Sequence, residues 1–325
     1  MNCQNCSENM YKNKNMPILL LVDIEGIIGV SSMSNMRKNI ELTYQELSFV
    51  ISKLKKANFN NITVCNIHDD GKCLKETRMK KFEVELIQGI QNLVPIAKNY
   101  AYTIMLGFHG KKGSGGRFDH TFRDDICMMY YGKKNVGEVG AFYRWLMLNE
   151  NIVVMISGEG NFKEEVNKIP IIIHKTDIKS IKTNEIKKIY KDLDEKLYSA
   201  IKVMKQENVI IEKIIKEKVR ITVNNRDTYY RTSERFKRTE DNQAFEFLSL
   251  QNFFEEVYDF SLELNRVGKK ICSNNIRFFN NIKKQFKKVE LEKYLYDYME
   301  KDIEEIDYVD RKAIKDKLGI NYEDF

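Results

Sequence analysis

Three short apolar runs in the first half of the chain each stop at residues that can bind a metal or carry a proton. Ile18–Val22 runs into Asp23-Ile24-Glu25-Gly26, Ile62–Ile67 stops at His68, and Thr103–Phe108 stops at His109. A fourth run, Ile126–Tyr131, leads through a short turn to Gly137-Glu138. Buried strands of this kind, alternating with helical segments, belong to a mainly parallel sheet covered on both faces. Ligands of such sheets bind at the carboxyl ends of the strands. Asp23, Glu25, His68, His109 and Glu138 are therefore expected to converge on one crevice, and that donor set suits zinc or another divalent ion.

The intervening segments fit this plan. Leu42, Tyr44, Leu47, Val50, Ile51 and Leu54 recur at helical spacing, and Thr43-Tyr44-Gln45-Glu46 has the form of a capping box at the helix start. A second helix is expected over about 77–91. Phe142, Trp145 and Leu146 predict a helix after Glu138. Further strands are expected at 152–156 and 170–173. Ile186, Tyr190, Leu193, Leu197, Ile201 and Met204 mark the apolar stripe of a long helix over 181–207. The expected organisation is a tail at 1–15, a metal-binding α/β domain at 16–207, a smaller second domain at 208–268 opened by a strand at 218–223, and a charged helical extension at 269–325.

Composition narrows the function. No apolar run approaches the roughly 18 residues of a membrane helix, and the polar start of the chain lacks a signal-peptide core, so a cytoplasmic protein is expected. The net charge of +7 comes from 54 basic and 47 acidic residues, an excess that lysines on solvated helix faces explain without nucleic acid. Cys3 and Cys6 form a CxxC, but no second pair completes a four-cysteine zinc site, so they read as free thiols in a tail. Cys65 and Cys127 read as small core residues.

The candidate site residues carry different weights alone. Asp23 and Glu25, two residues apart, share a face in an extended chain, and carboxylates after five apolar residues need pairing or a metal. Of four histidines, His68 and His109 end strands, His120 follows a glycine-rich loop, and His174 reads as structural. Glu138 at a helix start is also favoured by the helix dipole. The loop Gly110–Gly116 has the composition of a lid over bound substrate, and lacks the form of a phosphate-binding P-loop.

Taken together, these motifs resemble the D-aminopeptidase family, dinuclear zinc peptidases of the type encoded beside dipeptide transporters. Val22-Asp23-Ile24-Glu25-Gly26-Ile27-Ile28-Gly29-Val30 resembles the family's opening VD-x-EG-I-x-GV. Val64-Cys65-Asn66-Ile67-His68 is similar to its VNDSH, Gly107-Phe108-His109 to its GYH, and His120-Thr121 to its HT. Residues 132–138, ending Gly137-Glu138, are similar to its NG-x-x-x-GE, and Ser157-Gly158-Glu159 to its SGD. The likeness is good over about 17–165, weak to about 268 and absent beyond. Ile67, Asp69 and Glu159 depart from the usual serine, glycine and aspartate.

The resemblance implies two zinc ions per subunit, with other divalent metals as an alternative. Asp23 would bridge them, Glu25 and His109 would complete one ion's protein ligands, and His68 and Glu138 the other's. His120 matches the catalytic histidine, acting as oxyanion stabiliser and acid or as nucleophile. The implied reaction is hydrolysis of short peptides with a free amino end by a metal-activated water, in a homo-oligomer. Two alternatives stand beside it: a metallo-amidase for a non-peptide or specialised biosynthetic amide, and a non-catalytic binding protein on the same fold.

Overall fold

The computed structural model describes residues 16–123, 126–166, 171–176, 183–206, 214–223, 236–238 and 244–257. The expected tail at 1–15 with its CxxC, Pro170, and the extension at 269–325 lie outside the described residues. The chain separates into two compact units, residues 1–224 with 235–255 and residues 225–234 with 256–325. The elements below belong to the first, except for the last residue of the final helix.

Six strands form a parallel sheet: β1 (Ile18–Val22), β2 (Ile62–Asn66), β3 (Glu85–Gln88), β4 (Tyr102–Phe108), β7 (Ile152–Gly158) and β8 (Ile172–Lys175). Their order is β3-β2-β1-β4-β7-β8. The chain leaves β1 toward β2 and β3, then crosses back so that β4 lies on the other side of β1. Strand order reverses between β1 and β4, and the carboxyl ends there open the crevice where such sheets bind ligands. A second sheet is ordered β10-β11-β9-β5-β6, from β5 (Ile126–Tyr131), β6 (Lys134–Val136), β9 (Val219–Val223), β10 (Phe236–Arg238) and β11 (Ala244–Phe247). All its pairings are antiparallel. Strands from the 208–268 stretch thus hydrogen-bond to strands from the stretch before it. The run 126–131 belongs to this sheet, and it reaches Glu138 through the hairpin β5–β6 rather than from the parallel sheet.

Helices α1 (Met36–Lys56) and α5 (Thr183–Met204) share one face of the parallel sheet. Ile18, Leu20, Val22, Val64, Ile104, Leu106 and Val154 pack there against Leu47, Val50, Ile51 and Leu54 of α1 and Leu193, Leu197, Ala200 and Met204 of α5. Helix α4 (Glu138–Leu148) packs against β4 and β7, with Phe142 edge-on to Phe108. The α6 (Leu250–Glu256) residues Phe253 and Phe254 join Phe142, Trp145 and Phe122 in an aromatic cluster.

Two local expectations change. Helix α1 begins at Met36, seven residues before the expected capping box. Asn35 is its N-cap, accepting from the Lys38 amide. Thr43 lies mid-helix, its hydroxyl bonded to the Asn39 carbonyl, and Glu46 is buried. Period alone marks a helix's face and not its first turn. The helix expected over 77–91 is instead α2 (Glu76–Met79), a 3₁₀ turn, β3 and α3 (Ile90–Leu93). Pairing of Leu86 and Ile87 with β2 overrides local helical spacing, and Glu83 in the left-handed region breaks the helix.

Candidate metal centre

Close approach of β1 and β4 builds the floor of the crevice. The Asp23 amide donates to the Leu106 carbonyl and the Gly26 amide to the Gly107 carbonyl. A Cβ on Gly26 would lie 1.9 Å from the Phe108 oxygen, so the glycine after Asp23-Ile24-Glu25 lets the two strand ends touch. Gly107, at φ +74°, meets the Asp23 carbonyl in the same way.

The residues expected from sequence are brought together. Asp23, Glu25, His109 and Glu138 are all buried, and His68 and His120 are partly exposed. His68 Nδ1 lies 3.1 Å from Asp23 Oδ1 and 3.0 Å from Glu25 Oε2. His109 Nε2 lies 3.5 Å from Asp23 Oδ2 and 3.4 Å from Glu138 Oε1. His120 stacks on His109, with ring centroids 4.1 Å apart and planes 14° apart. Its Nε2 is 3.6 Å from Glu138 Oε1. Three ligand clusters result: Asp23 with Glu25 and His68, Asp23 with His109 and Glu138, and Glu25 with His109 and His120. His174 stands apart, its Nδ1 2.8 Å from the Ser157 hydroxyl between β7 and β8.

Electrostatics at this spot favour positive charge. Burial and the Glu25 carboxylate push Asp23 up to about 7. Burial would raise Glu25 as well, but bonds from His68 and Asp23 hold it below the usual carboxylate range. Burial opposes charge on His68 and His109, yet their carboxylate neighbours outweigh it and lift them to about 11 and about 10. The carboxylates thus draw cations, whether protons or metal ions, to this position.

The donor set fits a metal. His109 Nδ1 donates to the Gly110 carbonyl at 3.0 Å, which leaves Nε2 as the face toward Asp23 and Glu138. That Nε2 is buried without a hydrogen-bond partner among the described residues. A ring held by a carbonyl on one nitrogen, with carboxylates opposite the other, is the usual setting of a metal-binding imidazole.

Two supporting groups, Phe122 and Glu165, carry no sequence signal. The Phe122 amide donates to Glu138 Oε1 at 2.6 Å. Glu165 Oε2 accepts from the Gly137 and Gly140 amides at 2.6 and 3.0 Å, capping α4 from outside. Glu159 Oε1 accepts from the Arg117 amide at 2.8 Å, and Asp119 holds Ser114 and the Gly116 amide, so the glycine-rich loop is pinned at its base.

Comparison with curated protein sequences finds no match. A solved structure titled "Zn-dependent D-aminopeptidase DppA from Bacillus subtilis, a self-compartmentalizing protease" superposes with a TM-score of 0.64 at 16% identity, covering 76% of this chain and 98% of that one. Its likeness supports the α/β architecture. The model of the family described as D-aminopeptidase matches residues 16–248, which take in both sheets and every residue of the crevice, and the chain belongs to that family.

Proposed function

We propose that the protein is a zinc-dependent aminopeptidase that hydrolyses short peptides at a two-zinc centre. The observation that carries this reading is the sharing of Asp23 between two ligand clusters, one with Glu25 and His68 and one with His109 and Glu138. Asp23 would serve both ions, with Glu25 and His68 completing one ligand set and His109 and Glu138 the other, a different division of these four residues from the one the resemblance implies. When bound, the metals supply an activated water and polarise the scissile carbonyl.

His120 performs the proton chemistry. Its Nδ1 donates to the Phe118 carbonyl at 2.9 Å, which leaves Nε2 as the nitrogen turned toward Glu138. From there the ring accepts a proton and returns it to the leaving amine, or attacks directly. Stacking on His109 fixes its plane. The Arg117 amide, just after the glycine-rich segment, donates to the Glu159 carboxylate at the end of β7 and ties that segment to the sheet. The zinc dependence and the self-compartmentalizing description of the structurally similar protease support a zinc centre and a homo-oligomer here.

Metal content tests the reading. Protein purified without chelator should carry roughly two zinc ions per chain, Asp23→Ala should lose them, and a panel of dipeptides of both chiralities should be turned over only by the loaded protein. Stoichiometric metal absent even after zinc is offered would sink it.

A further inference from the structure

We propose that Glu159 is the anchor for the positively charged amino terminus of the substrate. The inference rests on the aminopeptidase reading above and names the group that selects a free amine.

Position comes first. Along the sheet order, His68 ends β2, Asp23 and Glu25 end β1, His109 ends β4, and Glu159 ends β7, four adjacent strands in one row. The Glu159 amide donates to the Phe108 carbonyl, one residue before His109, and lies 2.8 Å from where a Cβ on Gly26 would stand. Glu159 is therefore seated beside the centre, and it belongs to none of the three ligand clusters.

Its bonding is incomplete. Oε1 accepts from the Arg117 amide at 2.8 Å, and that neutral donor fixes the carboxylate's direction. Oε2 is buried with no hydrogen-bond partner among the described residues, and the whole residue is 7% exposed. A buried carboxylate oxygen without a partner is unfavourable, and its natural complement is a cation with N–H donors. The α-ammonium of a peptide supplies both. The scissile carbonyl carbon is only two bonds from that nitrogen, so an amine held at the end of β7 places the scissile carbonyl over the neighbouring end of β4 and β1. The same residue then explains why a peptide would be cut at its first bond.

The contacting partners predict how variants behave. Glu159→Gln keeps an oxygen for the Arg117 amide and removes the charge. Loss of one charge-assisted pair should raise KM for alanyl-alanine about ten- to a hundredfold while kcat stays within about twofold. Glu159→Asp keeps the charge and should retain the preference for a free amine.

The experiment compares the zinc-loaded wild type, Glu159→Gln and Glu159→Asp on alanyl-alanine of each chirality and on its N-acetylated counterpart. Turnover and calorimetric binding are both measured, and zinc content verifies that the centre is intact in each. Wild-type preference for the free amine, lost in Glu159→Gln and kept in Glu159→Asp, supports the assignment. Equal KM and equal binding of the two ligands by wild type and Glu159→Gln overturns it and leaves the hydrolase reading standing. If the wild type turns over no peptide, the hydrolase reading fails separately, and the binding comparison alone decides whether Glu159 holds an ammonium group.

Discussion

The backbone amide of Phe122 donates to the carboxylate of Glu138 at 2.6 Å, and Phe122 itself sits at φ +57°. A left-handed phenylalanine costs about 1 kcal/mol or more, so the surroundings must hold it there. They do so through the ring, which meets Phe142, Phe253 and Phe254 at centroid distances of 5.5, 5.0 and 5.7 Å. The ring is a peg that sets the backbone two residues after His120 and aims an amide at Glu138.

Phe122→Ala should therefore act twice. Emptying the cluster lowers stability by about 3–5 kcal/mol, read from denaturant unfolding. The freed backbone should also lower kcat more than other cluster truncations do. Trp145→Ala is the control, because it opens the same cluster through Phe142 and Phe254 and not through the Phe122 ring. Equal kcat in both variants would show that the amide contact has no part in the site.

Glu165 stabilises the other side of Glu138. Gly137 has no side chain to cap α4, and the Glu165 carboxylate does that work for the Gly137 and Gly140 amides. Arg144 fixes Glu165 in turn, donating to its carbonyl at 3.0 Å and to the Gly140 carbonyl at 2.7 Å. Glu165→Ala leaves these amides uncapped and should cost about 1–2 kcal/mol. Since Glu138 is the first residue of α4, zinc affinity should fall with it. A zinc titration that matches wild type while Tm drops would confine Glu165 to helix stability.

His120 separates proton chemistry from metal binding. Its ring rests on His109 and reaches Glu138 only at 3.6 Å, whereas Asp23 belongs to two ligand clusters. His120→Ala should keep its zinc and lose about 10²–10⁴ in kcat, the contribution of a positioned acid or base. Asp23→Ala should lose both. Zinc loss in His120→Ala equal to that in Asp23→Ala would make His120 a ligand instead.

Residues at the carboxyl ends of strands were legible in the sequence because a strand end is marked by chain order alone. Asp23, Glu25, His68 and His109 needed only the apolar run before each and the parallel sheet those runs imply. Glu138 was reachable for a different reason than expected, since β5 and β6 deliver it from the antiparallel sheet. Phe122 and Glu165 left no trace. Their roles depend on a left-handed backbone and on a carboxylate 28 residues from the amide it caps. Glu46 misled, because a serine- or threonine-led spacing occurs inside helices as readily as at their starts, and only burial tells the two apart.

Buried Glu46 on α1 gives the fold a pH dependence of its own. Its Oε2 accepts from the Ile28 amide at 2.8 Å, in the loop that follows Asp23 and Glu25. Burial raises its carboxyl from 4.5 to about 7, against the lowering effect of Ile28 and Ser157. A carboxyl whose folded value is raised binds its proton more tightly in the folded chain. Its contribution to stability is complete below pH 4.5 and is lost as pH rises through 7, by roughly 3 kcal/mol across that window. Glu46→Gln keeps an acceptor for the Ile28 amide and carries no ionisable group at any pH. The difference between wild-type and Glu46→Gln stability, both zinc-loaded, should therefore grow in favour of the variant from pH 5 to pH 8. Parallel stability curves across that range would mean that Glu46 titrates in the folded chain as it does in the unfolded one.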